Sequence, residues 1–226
     1  MFLDNQDRLV FANSDWVVQR LVARKQGPGW RFEVDKEWDL KPHVPHDCFN
    51  WNNWFPRGAC DKVTTVMPDH TGRYWWTTRG GRIGTLDPES GKVRQIRLKG
   101  EEIQNALAMD ARAIYIVSDH AQYALNTGED GMPAILWRTP YDRGTGRKIG
   151  SINQGSGTTP TLLGEKWITF ADNADSRINI VVLRRADGSQ VCKVPVFDKG
   201  ASATDNSMIG WGRSILLENN SGFKSA

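Results

Sequence analysis

The 226 residues carry 29 lysines and arginines against 26 aspartates and glutamates, a formal net charge of +3. A charge this balanced gives no reason to expect a nucleic-acid partner, and no run of about 18 apolar residues is present to span a membrane. Hydrophobic residues make up 39% and charged residues 24% of the chain, a composition typical of a folded globular protein.

Short strand-like runs, separated by turns rich in glycine and proline, occupy most of the chain. The clearest group begins near Thr64–Met67 and continues with RYWWTT, RIGTLD and KVRQIRL, which predicts four strands. The same order recurs along the chain. The predicted groups cover approximately 1–40, 61–98, 103–140 and 158–197, with a partial group at 203–223 and loop insertions at 41–60 and 141–157.

The spacing of turn glycines sets the period of this repeat. Gly91, Gly131 and Gly188 stand in the turn after the third strand of their groups. The first two are 131 − 91 = 40 residues apart, and the last two are 188 − 131 = 57 residues apart. The insertion at 141–157 accounts for the longer interval. A period of roughly 40–50 residues with four strands per unit is typical of a β-propeller, more than of a generic β-sandwich. The sequence therefore predicts an all-β propeller domain over 1–226, with about four complete blades and part of a fifth.

An incomplete fifth group has a consequence for closure. A propeller closes by joining its last blade to its first, and here the first strands are already needed for the first group. The pattern therefore predicts an open arc, a fragment of a ring of six to eight blades. No signal peptide is visible at the start, but a fragment would lack it, and a secreted or periplasmic location is favoured.

Two segments resemble known propeller families. GRYWWTTRGGRIGTLDPESGKV resembles the repeat of streptogramin (virginiamycin B) lyase-like propellers. The segment Asn105–Asp110 followed by Ile114–Asp119 is similar to the repeat of gluconolactonase, regucalcin and paraoxonase-like propellers. LDPESGK also matches a quinoprotein turn, but the following tryptophan is missing, so no quinone cofactor is expected. The resemblance covers roughly residues 60–220 and specifies the fold better than the function.

The lactonase-like resemblance implies a cation in the central funnel. In those families, Asn and Asp residues at the start of the innermost strands of the blades hold calcium, together with a Glu from another blade. Asn105, Asp205 and Asn206 match those positions, and their oxygen atoms suit Ca²⁺. The Glu has no equivalent motif here. The alternative is that these residues cap strand ends and turns.

Further ligand-binding candidates follow from position and composition. Thr159 lies at the start of an inner strand, and Asp172 and Asn173 follow a second strand, where a turn-supporting role is the alternative. Trp51 and Trp54 lie in FNWNNWF, which predicts either an aromatic wall for a flat ligand or core packing.

The cysteine and histidine content leaves two questions open. Cys48 and Cys60 bracket one loop and could form a disulfide or remain thiols, and Cys192 is separate. His43 and His46 lie near Cys48, but Pro42 and Pro45 disfavour a helix that would place both histidines on one face of a zinc site.

No nucleophile motif, nucleotide-binding fingerprint or haem signature is present, so no catalytic residue is assigned. The sequence favours a calcium-assisted, six-bladed hydrolase or lactonase-like propeller that acts on a small molecule. One alternative is a non-catalytic propeller that binds a ligand or a protein partner. The second is a streptogramin-lyase-like C–O lyase, for which His70 and His120 are the candidate bases.

Overall fold

The computed structural model describes residues 1–46, 60–212 and 214–223. Throughout these residues the regular structure is β-strand, apart from one 3-10 turn at Lys41–His43. None of the described residues forms a helix with the length and apolar character needed to cross a bilayer. Trp51, Trp54 and Cys48 lie outside the described residues.

Four sheets of four strands and one sheet of two strands follow one another along the chain. The first sheet contains β1 (Phe2–Leu3), β2 (Leu9–Ala12), β3 (Val17–Gln26) and β4 (Gly29–Asp39). The second contains β5 (Val63–Pro68), β6 (Tyr74–Thr78), β7 (Arg82–Leu86) and β8 (Val93–Arg97). The third contains β9 (Ala108–Met109), β10 (Ile114–Val117), β11 (Ala121–Thr127) and β12 (Pro133–Pro140). The fourth contains β13 (Thr161–Leu163), β14 (Trp167–Ala171), β15 (Asn179–Arg184) and β16 (Gln190–Pro195), and the last contains β17 (Ile209–Trp211) and β18 (Ser214–Leu216).

Within each sheet the strands lie side by side in sequence order, and the pairs described are antiparallel. The predicted class, all-β with four-stranded antiparallel units, is confirmed, and every strand falls inside the predicted group boundaries. The sequence reasoning missed β1, because two residues are too few for an alternating pattern to be recognised.

The turn glycines have the conformation that the repeat requires. Gly91, Gly131 and Gly188 have φ values of 72°, 81° and 71°, in the left-handed region that other L-residues rarely adopt. Each turn between the third and fourth strand of its sheet therefore reverses the chain at a glycine.

An aspartate organises the turn between the first and second strands in three sheets. Asp69 Oδ1 accepts the backbone N–H groups of Thr71 and Arg73 at 2.8 and 3.1 Å. Asp110 and Asp4 accept two backbone N–H groups in the corresponding turns. These carboxylates satisfy donors that would otherwise lack partners at a tight turn.

The chain divides into two compact units. The first unit is Met1–Gly100 with Thr127–Pro133, and the second is Glu101–Asn126 with Ala134–Ala226. The prediction of one propeller domain over 1–226 stays a prediction. In the first unit, Trp38, Tyr74 and Trp76 belong to one buried cluster. In the second, Tyr115, Trp137 and Phe170 belong to another.

Candidate functional site

The insertion predicted at 141–157 meets the predicted calcium ligands. Asn105 Nδ2 donates to the carbonyl oxygen of Ser156 at 2.9 Å. The Asp205 carboxylate accepts the backbone N–H of Ile152. Asn105 and Asp205, which the sequence predicted to face one funnel, therefore bind the same loop, and they precede strands of two different sheets of the second unit.

Tyr141 fixes the two ends of this insertion to each other. Its hydroxyl donates to the carbonyl of Ser118 at 2.6 Å and accepts the N–H of Ser156 at 2.8 Å. Its ring packs edge-to-face on Phe170, with centroids 5.2 Å apart. Burial raises the pKa of the Tyr141 hydroxyl, so the phenol stays neutral and can make both bonds.

Charged and amide side chains hold the middle of the insertion. Arg143 Nη2 lies 2.6 Å from Asp119 Oδ2, and Asn173 Nδ2 donates to the carbonyl of Arg143 at 2.8 Å. His120 Nδ1 lies 2.8 Å from Asp119 Oδ1. Asn173, which the sequence offered as a ligand contact, thus binds the chain itself.

Asp172 is enclosed by hydrogen bonds and an ion pair. It accepts the backbone N–H and the side-chain amide of Asn179 at 2.7 and 2.8 Å, and Lys193 Nζ lies 2.8 Å away. Asp172 and Asn173 are each 2% exposed. Thr159 is half-buried, and its N–H donates to the Ser207 hydroxyl at 3.3 Å. Ligand contact by these three residues stays a prediction.

A glutamate stands beside the predicted ligand Asn206. Glu218 Oε2 accepts the side-chain amide of Asn206 at 2.7 Å, and Oε1 accepts that of Asn220 at 3.2 Å. Asn220 in turn accepts the N–H of Asp205 at 2.8 Å. Sequence reasoning found no equivalent of the family's Glu, because this one follows β18 rather than lying in a matching motif. The available signal was the run Glu218-Asn219-Asn220 at a second-strand end.

Two of the predicted calcium ligands bond to the chain itself. Asn105 Nδ2 and Asp205 Oδ2 bond to the backbone of residues 152–156. Burial raises the pKa of the Asp205 carboxyl, which disfavours the charged form that a cation needs. Within the described residues, no three His, Cys, Asp or Glu side chains cluster to hold a metal. A calcium ion bound by Asp205 Oδ2 would therefore compete with the N–H of Ile152, and calcium binding stays a prediction.

The histidine and cysteine loop is described only at its ends. His46 pairs with Cys60 in an isolated β-bridge, and its ring lies edge-on to Trp16 with centroids 5.9 Å apart. Cys60 is disulfide-bonded, so it is not available as a zinc thiolate, and Cys192 is a free, exposed thiol.

A cationic groove lies at the opposite ends of the second unit's strands. It has a volume of about 180 Å³ and is formed by three turns. We call it the basic groove; it is lined by Arg112, Glu165, Lys166, Trp167, Arg184, Arg185 and Ala186. Arg112, Lys166 and Arg184 are exposed, and the Arg184 guanidinium carbon lies 5.7 Å from the centroid of the Trp167 ring. The groove therefore offers positive charge beside an aromatic face.

A buried arginine forms the floor of this groove. Arg185 Nη1 lies 2.8 Å from Asp110 Oδ2, and Nη2 donates to the carbonyl of Gly164 at 2.6 Å. Burial raises the pKa of Asp110, but bonds from the N–H groups of Arg112 and Ala113 outweigh it, and the net pKa is lowered. Burial and this carboxylate together raise the pKa of Tyr115 to about 12. Asp110 therefore stays charged and holds Arg185 in place.

The first unit has a groove of about 460 Å³ at the corresponding turns of its own sheets. We call it the acidic groove; it is lined by Asp4, Asn5, Gln6, Arg8, Thr71, Gly72, Arg73, Asp87, Pro88 and Glu89. Arg8 Nε pairs with Asp4 Oδ2 at 2.7 Å, and Arg73 Nη1 donates to Thr127 at 2.8 Å. Its arginines are thus engaged, and acidic charge comes from exposed Glu89 and half-buried Asp87.

The fold is shown by solved structures. The chain is similar to BamB from Moraxella catarrhalis, with TM-score 0.58, 15% identity, and coverage of 92% of this chain and 52% of that one. It is also similar to the β-propeller domain of Cps50 (Swd1) from Myceliophteria thermophila, with TM-score 0.51, 10% identity, and coverage of 87% and 72%. The described sheets are therefore blades of a β-propeller fold, and the chain spans about half the length of the BamB structure.

Weaker similarity adds nothing on activity. Virginiamycin B lyase from Staphylococcus aureus matches with TM-score 0.46, 14% identity, and coverage of 93% and 62%, too low to support a conclusion. No family model and no curated protein matches the chain. At these identities the similarities specify the fold and leave the function to the site.

Proposed function

We propose that this chain is a non-catalytic binding propeller that recognises an acidic segment of a protein partner at the basic groove. The observation that carries the proposal is that Arg112, Lys166 and Arg184 line one groove together with Trp167, over whose ring the Arg184 guanidinium lies. Three exposed cations at one aromatic face attract carboxylates and suit the flat backbone and side chains of a peptide.

The size of the groove supports a peptide rather than an enzyme substrate. Its volume of about 180 Å³ is below the roughly 300–1,000 Å³ of typical small-molecule sites. It accommodates one or two side chains of a larger partner. Arg185 is held rigidly by Asp110 and Gly164, so the floor does not need to be ordered on binding.

Fluorescence anisotropy with a fluorescein-labelled hexaglutamate peptide tests this proposal. We expect saturable binding at low salt, weakened at least about tenfold by Lys166→Glu/Arg184→Glu. The matched control Arg147→Glu/Lys199→Glu reverses two charges that are also exposed in the second unit but lie outside the groove. Equal losses in the two variants would mean that only net charge matters, and the proposal would fail.

Calcium-assisted hydrolysis of a small ester or lactone is the second candidate. It is favoured by the position of Glu218 beside Asn206, which supplies a carboxylate next to a predicted ligand. Millimolar Ca²⁺ should then raise the melting temperature relative to EDTA, and Glu218→Gln should remove that shift. No stabilisation by Ca²⁺ in the unsubstituted protein would eliminate this candidate.

A further inference from the structure

The outer hairpin of the first sheet is longer than those that follow. β3 has 10 residues and β4 has 11, whereas β7 and β8, the corresponding strands of the second sheet, have 5 each. β3 pairs with β2 only as far as Leu21. Beyond that point the hairpin is a ribbon of two strands, closed by the two-residue turn Gly27-Pro28. We call residues 21–34 the arm.

One face of the arm is apolar and exposed. Trp30, Phe32 and Val34 alternate along β4 and are 70%, 60% and 54% exposed. Ala23 lies opposite Phe32, and Leu21 lies opposite Val34, so the same face continues on β3. A continuous exposed stripe of large apolar side chains marks an interaction surface.

The arm also has a free strand edge. β4 is the last strand of the first sheet, and no other described strand pairs with its outer side. Gln26 and Gly29 close the two-residue turn as a hydrogen-bonded pair. By the antiparallel alternation, Trp30, Phe32 and Val34 then direct their N–H and C=O groups outward. Residues 30–34 contain no proline or lysine, which commonly protect such edges.

The other face of the arm is short of negative charge. Arg24 lies directly opposite Arg31, a like-charge pair that destabilises a hairpin. Glu33 is the one acidic residue in 21–34, and its Oε2 lies 3.9 Å from Arg24 Nε. Arg31 therefore lacks a carboxylate of its own within the arm.

We propose that two copies of this chain pair antiparallel along the free edges of β4, on a two-fold axis through Phe32. The segment W-R-F-E-V runs apolar, basic, aromatic, acidic, apolar, so it is complementary to itself when reversed. Phe32 then faces Phe32 of the second copy, Trp30 faces Val34, and Arg31 faces Glu33. The two-fold axis makes the last two contacts twice.

Charge selects this register over its neighbours. With the axis at Arg31, two arginines face each other, and with the axis at Glu33, two glutamates do. With the axis at Val34, Glu33 faces Asp35. The axes at Glu33 and Val34 also bring a carboxylate opposite Arg31, but each sets two acidic residues against each other. Of these four registers, only the axis at Phe32 supplies a carboxylate to Arg31 without placing like charges across from each other.

Sedimentation equilibrium on the full chain measures the oligomeric state directly. We expect a dimer whose dissociation constant rises at least about tenfold in Arg31→Glu, because Glu33 of each copy then faces a glutamate instead of an arginine. The double variant Arg31→Glu/Glu33→Arg restores opposite charges and should recover dimerisation to within about threefold of the starting value. A thermal melt of each variant verifies that it is folded.

Cross-linking then tests the register. In a Cys192→Ser background, Phe32→Cys should form a disulfide between copies on mild oxidation, because the two Cβ atoms face each other on the axis. Ala23→Cys lies on the same face but one strand in from the edge, and should not cross-link. A monomeric protein would overturn the proposal. So would a dimer that is indifferent to Arg31→Glu, or a monomer that instead binds anionic vesicles through Trp30.

Discussion

The two grooves show how one architecture carries opposite chemistry. Each lies at the turns of adjoining blades within its own unit. In the acidic groove, half-buried Asp87 and exposed Glu89 follow β7. In the basic groove, Arg184 and Arg185 stand at the end of β15, the strand that corresponds to β7. The repeat therefore fixes where a groove forms, and the residues of its turns fix which charges the groove attracts.

One repeat position illustrates the same division between core and site. Tyr74 is the first residue of β6 and is 1% exposed, whereas Trp167 is the first residue of β14 and is half-buried in the basic groove. Tyr74 packs edge-on to Trp38, with centroids 5.4 Å apart. The same strand position thus serves packing in one unit and leaves an aromatic face open in the other.

The largest effect is expected at this position. Tyr74→Ala should lower the free energy of unfolding by about 3–5 kcal/mol, because it empties a packed core site. Trp167→Ala should cost only about 1 kcal/mol while weakening hexaglutamate binding. Urea denaturation and anisotropy measure the two quantities. Equal losses of stability in both variants would contradict the assignment of Trp167 to a site.

The aspartates of two equivalent turns give the next contrast. Asp110→Ala leaves Arg185, whose side chain is 6% exposed, without its carboxylate, and should cost about 3 kcal/mol. Asp69→Ala removes hydrogen bonds to the backbone of the turn and the acceptor of Trp75 Nε1, but it leaves no buried charge without a partner. Its cost should be about 1–2 kcal/mol. Both are measured by urea denaturation, and a cost for Asp69→Ala as large as that for Asp110→Ala would show that the buried pair adds nothing.

Charge reversal in each groove separates the two surfaces. Lys166→Glu should weaken hexaglutamate binding about threefold, a change of well under 1.4 kcal/mol. Glu89→Lys adds positive charge to the acidic groove and should leave the affinity within experimental error, because the peptide binds elsewhere. Anisotropy titrations at one ionic strength make the comparison. An increase in affinity with Glu89→Lys would show that the peptide senses only the overall field.

Repetition made the fold predictable, whereas the sites depend on distant residues. Strands such as RYWWTT and the turns at Gly91 and Gly188 follow from local pattern and from backbone conformations that favour glycine. The basic groove joins Arg112 to Arg185, which only the packed blades bring together.

Contacts between residues distant in sequence also explain what the sequence did not predict at the calcium site. Asn105 and Asp205 were placed at equivalent strand starts, and the structure has both of them contacting the insertion. That they bind the backbone of Ser156 and Ile152 could not be foreseen, because an insertion has no counterpart in the repeat. The sequence also could not predict that Trp30 and Phe32 are exposed, because a strand has the same alternating pattern whether or not its apolar face is covered.

The smallest effects are expected from pH, with opposite signs for two carboxyls. Burial raises the pKa of Asp4 in the acidic groove, but hydrogen bonds from the N–H groups of Arg8 and Gln6 outweigh it, so the net pKa falls below 3.8. Asp4 then stabilises the fold above pH 3.8, and this contribution is lost as the pH falls through the lowered pKa. Asp4→Asn should therefore destabilise the protein at pH 7, by an amount that shrinks on acidification.

Asp205 in the second unit should behave in the reverse way. Burial raises its pKa above 3.8 despite the bond from Ile152, so the charged form is penalised in the folded state. Asp205→Asn keeps an oxygen acceptor for that bond and should stabilise the protein by up to about 1 kcal/mol at pH 7. The gain should disappear as the pH falls through the raised pKa towards 3.8, because the native carboxyl is then neutral too. Urea denaturation at several pH values measures both variants, and a gain that persists in acid would assign the effect to packing rather than to charge.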